Sequence, residues 1–353
     1  MSHLLIIGRA QFGYLTDSYK WCENLKGRFE ITYLCYDYGH ERMEMSGVRV
    51  IYISRKGAKT RRAIRFLRAA IWHIARMNCP TIVIHFPLCG ILPQIFPWKR
   101  MGLDIRTLSV HDDPATRASD NRNIRHDCAK YSVVSAISPQ VIQQLDKDGI
   151  YELPLGADTI SHATKTYNDS IRILYVGTFT RRRIDQLLDG VLQFAKKHPD
   201  IPLTMDLIGF SDENESMEII MKKLSDPILS RIVTYHGRIR YTSLKPFFER
   251  ANVGISFVPI TEYFDPQPPT KTFEYALSGL YVIATGTTAN KQIITPDNGI
   301  VIDDTPDGVV QGLEHYCAIR DRLDERNIRE SVKEPPWADL CHRYLPPVID
   351  SLS

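Results

Sequence analysis

Short apolar runs alternate with stretches of helical period along the whole chain. Strand-like runs fall at 3–8, 30–36, 48–53, 81–86, 106–110 and 131–135, and helical patterns lie between most of them, at 14–26, 60–77, 88–101, 120–129 and 138–147. This alternation predicts a parallel sheet built from βαβ units. Leu153–Asp158 and a polar stretch at 159–170 then break the pattern and read as a linker. A second series follows, with strands at 171–176, 203–208, 232–235, 253–258, 281–285 and 299–302 and helices at 183–196, 214–225, 243–250, 270–278 and 306–320. A last helical pattern occupies 337–352, after Pro335 and Pro336. The prediction is an α/β chain of two Rossmann-like, doubly wound domains, 1–157 and 158–335, with a separate C-terminal helix in 336–353.

At 353 residues and 43% hydrophobic composition, the chain is long enough to bury two cores. No apolar run reaches 18 residues, so no spanning helix is expected. The start, Met-Ser-His-Leu-Leu-Ile-Ile-Gly, has no basic segment before its apolar run and does not read as a signal peptide. The seven cysteines are odd in number and form no CxxC pair. Neither a disulfide framework nor a zinc site is indicated, no metal ligand is assigned, and a reduced cytoplasmic setting is expected.

The net charge of +3 hides an asymmetry. Residues 1–150 hold 22 Lys/Arg against 13 Asp/Glu, and residues 151–353 hold 22 against 28. Between Met45 and Leu103 there are 11 basic residues and no acidic one. The helical segment 59–76 places Ile64, Leu67, Ile71, Ile74 and Ala75 on an apolar stripe, with Arg61, Arg65, Arg68 and Arg76 mostly off it. Together with Arg55, Lys56 and the Phe96-Pro97-Trp98-Lys99-Arg100 run, this suits docking on an anionic membrane surface through 55–76 and 96–100. No nucleic-acid motif accompanies it, and no nucleic-acid partner is expected.

The densest chemistry lies at 268–285, Pro-Pro-Thr-Lys-Thr-Phe-Glu-Tyr-Ala-Leu-Ser-Gly-Leu-Tyr-Val-Ile-Ala-Thr. The prolines stop what precedes them, Thr270 is expected to cap a helix, Gly279 to end it, and Tyr281–Thr285 to form a buried strand. Lys271 and Glu274 fall on one face. A helix N-terminus with an ammonium suits a diphosphate, and a carboxylate suits the two hydroxyls of a ribose. Upstream, Val176-Gly177-Thr178-Phe179-Thr180-Arg181-Arg182-Arg183 runs from a strand into a helix and makes a second cationic cradle for phosphate.

These segments resemble the donor site of retaining glycosyltransferases of family 4, which have the GT-B fold. The resemblance is strongest from 171 to 302 and weak before 105. It implies two domains facing each other across a cleft, the last helix returning to the first domain, and a nucleotide-diphosphate sugar as donor substrate with no cofactor. Arg183 matches the family's phosphate lysine, while Thr178 stands where the family has an arginine, leaving open which of Arg181, Arg182 and Arg183 reaches phosphate. Pro266 replaces a sugar-contacting glutamate, so Asp265 or Gln267 is the candidate substitute. His111, in Ser109-Val110-His111-Asp112-Asp113, matches a residue that touches the donor sugar or positions the acceptor. Gly13, after the first strand, is assigned to the cleft.

The resulting assignment gives His111, Lys271 and Arg183 catalytic roles and Glu274, Thr270, Gly177, Arg181, Arg182, Asp265, Gln267 and Gly13 binding roles. The expected activity is metal-independent, hexosyl-type transfer to a glycan or lipid-linked acceptor, in surface polysaccharide synthesis at the inner face of the cell membrane. The absence of an Asp-x-Asp step in the donor half argues against a metal-dependent enzyme of the other glycosyltransferase fold. The alternatives are a GT-B nucleotide-sugar epimerase and a degenerate nucleotide-sugar-binding scaffold.

Overall fold

The computed structural model describes residues 2–211, 213–267, 269–332 and 336–352. Pro268 and Pro335, two of the expected helix stops, lie outside the described residues. The chain divides into two compact units, one of Met1–Gly156 with Pro335–Ser353, the other of Ala157–Glu334.

The first unit runs β1 (Ser2–Ile7), α1 (Thr16–Leu25), β2 (Phe29–Asp37), β3 (Val48–Ser54), α2 (Lys59–Arg76), β4 (Thr81–Ile84), α3 (Leu92–Ile95), β5 (Met101–Ile105), α4 (Pro114–Cys128), β6 (Val133–Ala136), α5 (Pro139–Gln143) and β7 (Tyr151–Glu152). Its seven strands are parallel, in the order β3-β2-β1-β4-β5-β6-β7. The order reverses between β1 and β4, the place where ligands approach such sheets. β1 buries Leu4, Leu5, Ile6 and Ile7 completely, as a strand covered on both faces must. The C-terminal helix, Trp337–Asp350, packs on α1 with Trp337, Leu340, Leu345 and Val348 buried.

Two expectations fail here for physical reasons. The strand placed at 106–110 is at Met101–Ile105 instead. Asp104 hid it, because a carboxylate in mid-strand reads as a break. In the fold Asp104 is fully buried, accepts from Ser135 at 2.7 Å and lies 3.7 Å from the Arg106 guanidinium. The helix expected at 88–101 is shortened to a 3-10 turn at Cys89–Ile91 running into α3, and Pro97 follows closely.

The second unit runs β8 (Ile171–Val176), α6 (Ile184–Lys197), β9 (Leu203–Ile208), α7 (Asn214–Leu224), α8 (Leu229–Ile232), β10 (Val233–Gly237), α9 (Lys245–Arg250), β11 (Val253–Ser256), α10 (Thr270–Leu277), β12 (Tyr281–Thr285), α11 (Thr288–Ile293), β13 (Gly299–Ile302), α12 (Pro306–Ile319) and α13 (Glu325–Glu330). Its six parallel strands take the order β10-β9-β8-β11-β12-β13, the doubly wound arrangement. α10 ends as expected: Gly279 takes φ +75°, and Leu280 N–H reaches back to Tyr275 O at 2.9 Å. β12 is buried at all five positions. Among the described residues no helix is long and apolar enough to cross a membrane.

Candidate functional site

The site in the second unit is built where its sheet order reverses, from the loop after β8 and the start of α10. The loop is held from below. The Tyr275 hydroxyl, on α10, accepts from the Val176 N–H at 2.8 Å, and Gly177 N–H donates to Ile208 O at 3.0 Å. α10 therefore positions the phosphate-type loop of its own unit.

Thr270 does not cap α10. It is the first helical residue, Pro269 holds the cap position, and no side-chain cap bond is made there among the described residues. The reason lies in the neighbouring threonine. Thr272 turns inward, bonding Ser256 Oγ at 2.7 Å and Asn290 Oδ1 at 2.9 Å, which anchors the helix start to β11 and α11. An N-terminus without a side-chain cap keeps its dipole available to an anion.

Lys271 projects from this turn. Its Nζ lies 4.0 Å from the centre of the Tyr175 ring, and a Cβ built on Gly177 would stand 3.3 Å from it. Among the described residues no carboxylate pairs with Lys271. Burial, reinforced by the Arg182 guanidinium, holds its ammonium well below the usual lysine range. Arg182 is packed 3.8 Å over the Phe264 ring, its buried Nη1 has no hydrogen-bond partner among the described residues, and burial lowers its pKa as well. Two basic groups thus share one partly buried site, and the Arg182 guanidinium disfavours charge on Lys271. Such a site is completed by an anion.

The arginine triplet divides. Arg181 Nε donates to Glu213 Oε1 at 3.2 Å, and Arg183, exposed and in left-handed backbone conformation at the start of α6, lies 3.3 Å from Asp304 Oδ2. Arg182 is the member brought to Lys271. Sequence matching favoured Arg183 because it counts positions from the glycine, and only the fold shows which of three adjacent side chains turns inward. Phe264 and Tyr175, the rings beneath the two cations, were also not singled out.

Glu274 sits one turn beyond Lys271, 7% exposed. Asp265 is engaged locally. Its two oxygens accept from Thr288 N–H at 2.8 Å and Thr288 Oγ1 at 2.6 Å, fastening the segment to the start of α11. Gln267 donates to Tyr263 O at 2.6 Å. Both therefore stiffen the 260s loop.

In the first unit, His111 is six residues beyond the end of β5, not at a strand end. Its Nδ1 accepts from Asp113 N–H at 3.1 Å, and Asp113 in turn caps α4 through Thr116 N–H at 2.7 Å. With Nδ1 accepting, the tautomer that carries its proton on Nε2 leaves that nitrogen as a donor. Gly13 takes φ +87° in the loop after β1, a conformation that favours glycine.

Residues 170–318 match the family model of glycosyl transferases group 1. No curated protein matches the chain. Solved structures are similar over nearly full length. Sucrose-phosphate synthase from Thermosynechococcus elongatus shares 15% identity with a TM-score of 0.77, covering 98% of both chains. The catalytic domain of starch synthase IV from Arabidopsis thaliana, bound to ADP and acarbose, gives 10% identity and 0.73 over 99% of both. A glycosyltransferase from Rickettsia africae gives 13% and 0.72, covering 100% of this chain and 99% of its own. The chain has the GT-B fold, and the stretch of its second unit at 170–318 is similar to glycosyl transferases group 1.

Proposed function

We propose that the protein transfers a sugar, with retention, from a nucleotide-diphosphate sugar to a glycan or lipid-linked acceptor in surface polysaccharide synthesis. The observation that carries this is the pair of partly buried basic side chains, Lys271 and Arg182, which no carboxylate pairs among the described residues, at the N-terminus of α10 within the matched family region. The diphosphate seats there and Glu274 takes the ribose hydroxyls. As the sugar–phosphate bond breaks, charge builds on the departing diphosphate, and both cations and the helix dipole stabilise it. The sugar passes through an oxocarbenium-like state. The leaving phosphate oxygen accepts the acceptor's proton, so no enzyme nucleophile is required. Two side-chain cations neutralise the diphosphate without a metal. His111 offers its Nε2–H to the sugar or the acceptor.

Membrane docking belongs to the same reading and is supported by the first unit. α2 spans Lys59–Arg76, with Phe66, Ala70 and Ile74 buried. The expected stripe is therefore rotated: Ile64 and Ala75 face out, not in. Its outer face joins Ile64 (50% exposed) and Trp72 (51% exposed) to Arg61, Arg65, Arg68 and Arg76, and Trp98 is 72% exposed. An outward tryptophan among arginines suits a helix that lies on a membrane surface.

The test is incubation with a panel of nucleotide sugars and a lipid-linked glycan fraction, following free nucleoside diphosphate and labelled glycan. Acceptor-dependent release with a matching product is expected. Interconversion of the sugar with the diphosphate still attached would establish the epimerase reading instead.

A further inference from the structure

We propose that His85, Cys89 and Asp127, in the first unit, form a three-ligand site for a zinc-class divalent cation. The three residues come from separate places: the segment after β4, a short 3-10 turn at Cys89–Ile91, and the last turn of α4. One ligand atom from each lies within 4.8 Å of the other two.

The spacing fits tetrahedral zinc. Zn–N and Zn–O bonds of about 2.0–2.1 Å and a Zn–S bond of about 2.3 Å, opened to a tetrahedral angle, set ligand–ligand edges near 3.3 Å for N···O and about 3.6 Å for S···O. The measured edges are 3.3 Å for His85 Nε2 to Asp127 Oδ2 and 3.7 Å for Cys89 Sγ to the same oxygen. The third edge, from the His85 ring nitrogen to Cys89 Sγ, lies within 4.8 Å.

The surroundings hold these groups in place. A Cβ on Gly90 would stand 2.1 Å from Asp127 Oδ1, so only glycine lets that carboxylate approach the turn. Tyr131 donates its hydroxyl to Cys89 O at 2.8 Å and fixes the turn. Lys130 Nζ, 3.8 Å from Asp127 Oδ1, steadies the oxygen that does not face the cluster. Cys89 is fully buried, whereas His85 and Asp127 line a cavity of about 850 Å³ that Leu88, Leu108 and Val110 also border. Three protein ligands with one side open to a cavity is the arrangement of a zinc site that accepts water or an oxygen ligand. Binding requires the Cys89 thiolate, so its proton leaves to solvent, and the thiolate and carboxylate balance the dication.

The motif escapes the sequence because it is not a CxxC pair. Its only trace is the His-x-x-x-Cys spacing at 85–89, with Asp127 far along the chain. The inference stands apart from the glycosyltransferase reading, and its test needs no nucleotide.

The test uses the full chain, stripped with EDTA and titrated with Co(II). One equivalent is expected, with intense visible bands of tetrahedral cobalt and a near-ultraviolet thiolate band. Cys89→Ser should abolish the thiolate band, and His85→Gln and Asp127→Asn should each weaken binding at least tenfold. Circular dichroism checks that the variants fold. X-ray absorption of the wild-type Zn(II) protein, which needs no variant, should show one sulfur near 2.3 Å with nitrogen and oxygen near 2.0–2.1 Å. Absence of tetrahedral cobalt bands, a thiolate band that persists in Cys89→Ser, or a zinc shell lacking sulfur would overturn the site.

Discussion

Lys271→Ala separates phosphate recognition from everything else the site does. The ammonium is desolvated, and a phosphate oxygen close to it interacts by about 4 kcal/mol at roughly 4 Å in an effective dielectric near 20. Part of this is spent protonating an amine whose pKa burial and Arg182 already depress. A net loss of about 2–3 kcal/mol remains, in line with hydrogen bonds to charged groups. That is roughly a 30- to 150-fold weaker dissociation constant for a nucleoside diphosphate. The matching nucleoside should lose almost nothing. Isothermal titration of UDP, GDP and ADP against uridine, guanosine and adenosine reads both quantities. The ligand-free variant carries a second signature. Removing one of two crowded cations relieves the free protein, so Lys271→Met should raise its melting temperature by about 2–4 °C while abolishing tight diphosphate binding. Equal losses for diphosphate and nucleoside, or a fall in melting temperature, would refute the reasoning.

Further expectations follow from the same structure. Because the free-state pKa of Lys271 is depressed and an anion restores it, binding takes up a proton. Diphosphate affinity should be full below that pKa and decline as pH rises through it, and titrations in buffers of different ionisation enthalpy measure the uptake; Lys271→Met should abolish the pH dependence. Glu274→Gln should weaken donor binding by about 1.5–3 kcal/mol, roughly 10- to 150-fold, yet barely affect 2′,3′-dideoxy analogues, as competition assays would show. Gly254→Ala would place a Cβ 2.4 Å from the Tyr275 ring, so it should both lower the melting temperature and disturb the loop that Tyr275 holds through Val176. Reversing Arg61, Arg65 and Arg68 to Glu should abolish co-flotation with anionic liposomes at low salt, at about 1 kcal/mol for each arginine; flotation unchanged by the reversals, or none by the wild type, would exclude the docking face.

The legible parts of the fold were those fixed by local chemistry. β12 and α10 were read almost to the residue, because Gly279 needs left-handed backbone and the strand that follows is wholly apolar. The basic segment at 59–76 became a helix for similar reasons, yet its buried face was misread. Phe66 and Ala70 define that face, and helical periodicity alone does not distinguish it from one rotated by a residue. β5 was missed because Asp104 is paid for by Ser135 and Arg106, partners that only the fold supplies. At the candidate donor site, residue types and spacing singled out Lys271 and Glu274, which the fold places one turn apart at the start of α10. They did not separate Arg182 from its neighbours, since that depends on Phe264 receiving one guanidinium while Glu213 and Asp304 draw away the others. The His85, Cys89 and Asp127 cluster was invisible because three elements assemble it.

The central claim is that Lys271 and Arg182 hold a diphosphate whose ribose rests on Glu274. A crystal structure of the full chain with its preferred nucleoside diphosphate tests it most directly. The account predicts phosphate oxygens within hydrogen-bond distance of Lys271 Nζ and Arg182 Nη1, and both ribose hydroxyls on the Glu274 carboxylate. A nucleotide bound elsewhere, with these three side chains untouched, would contradict it.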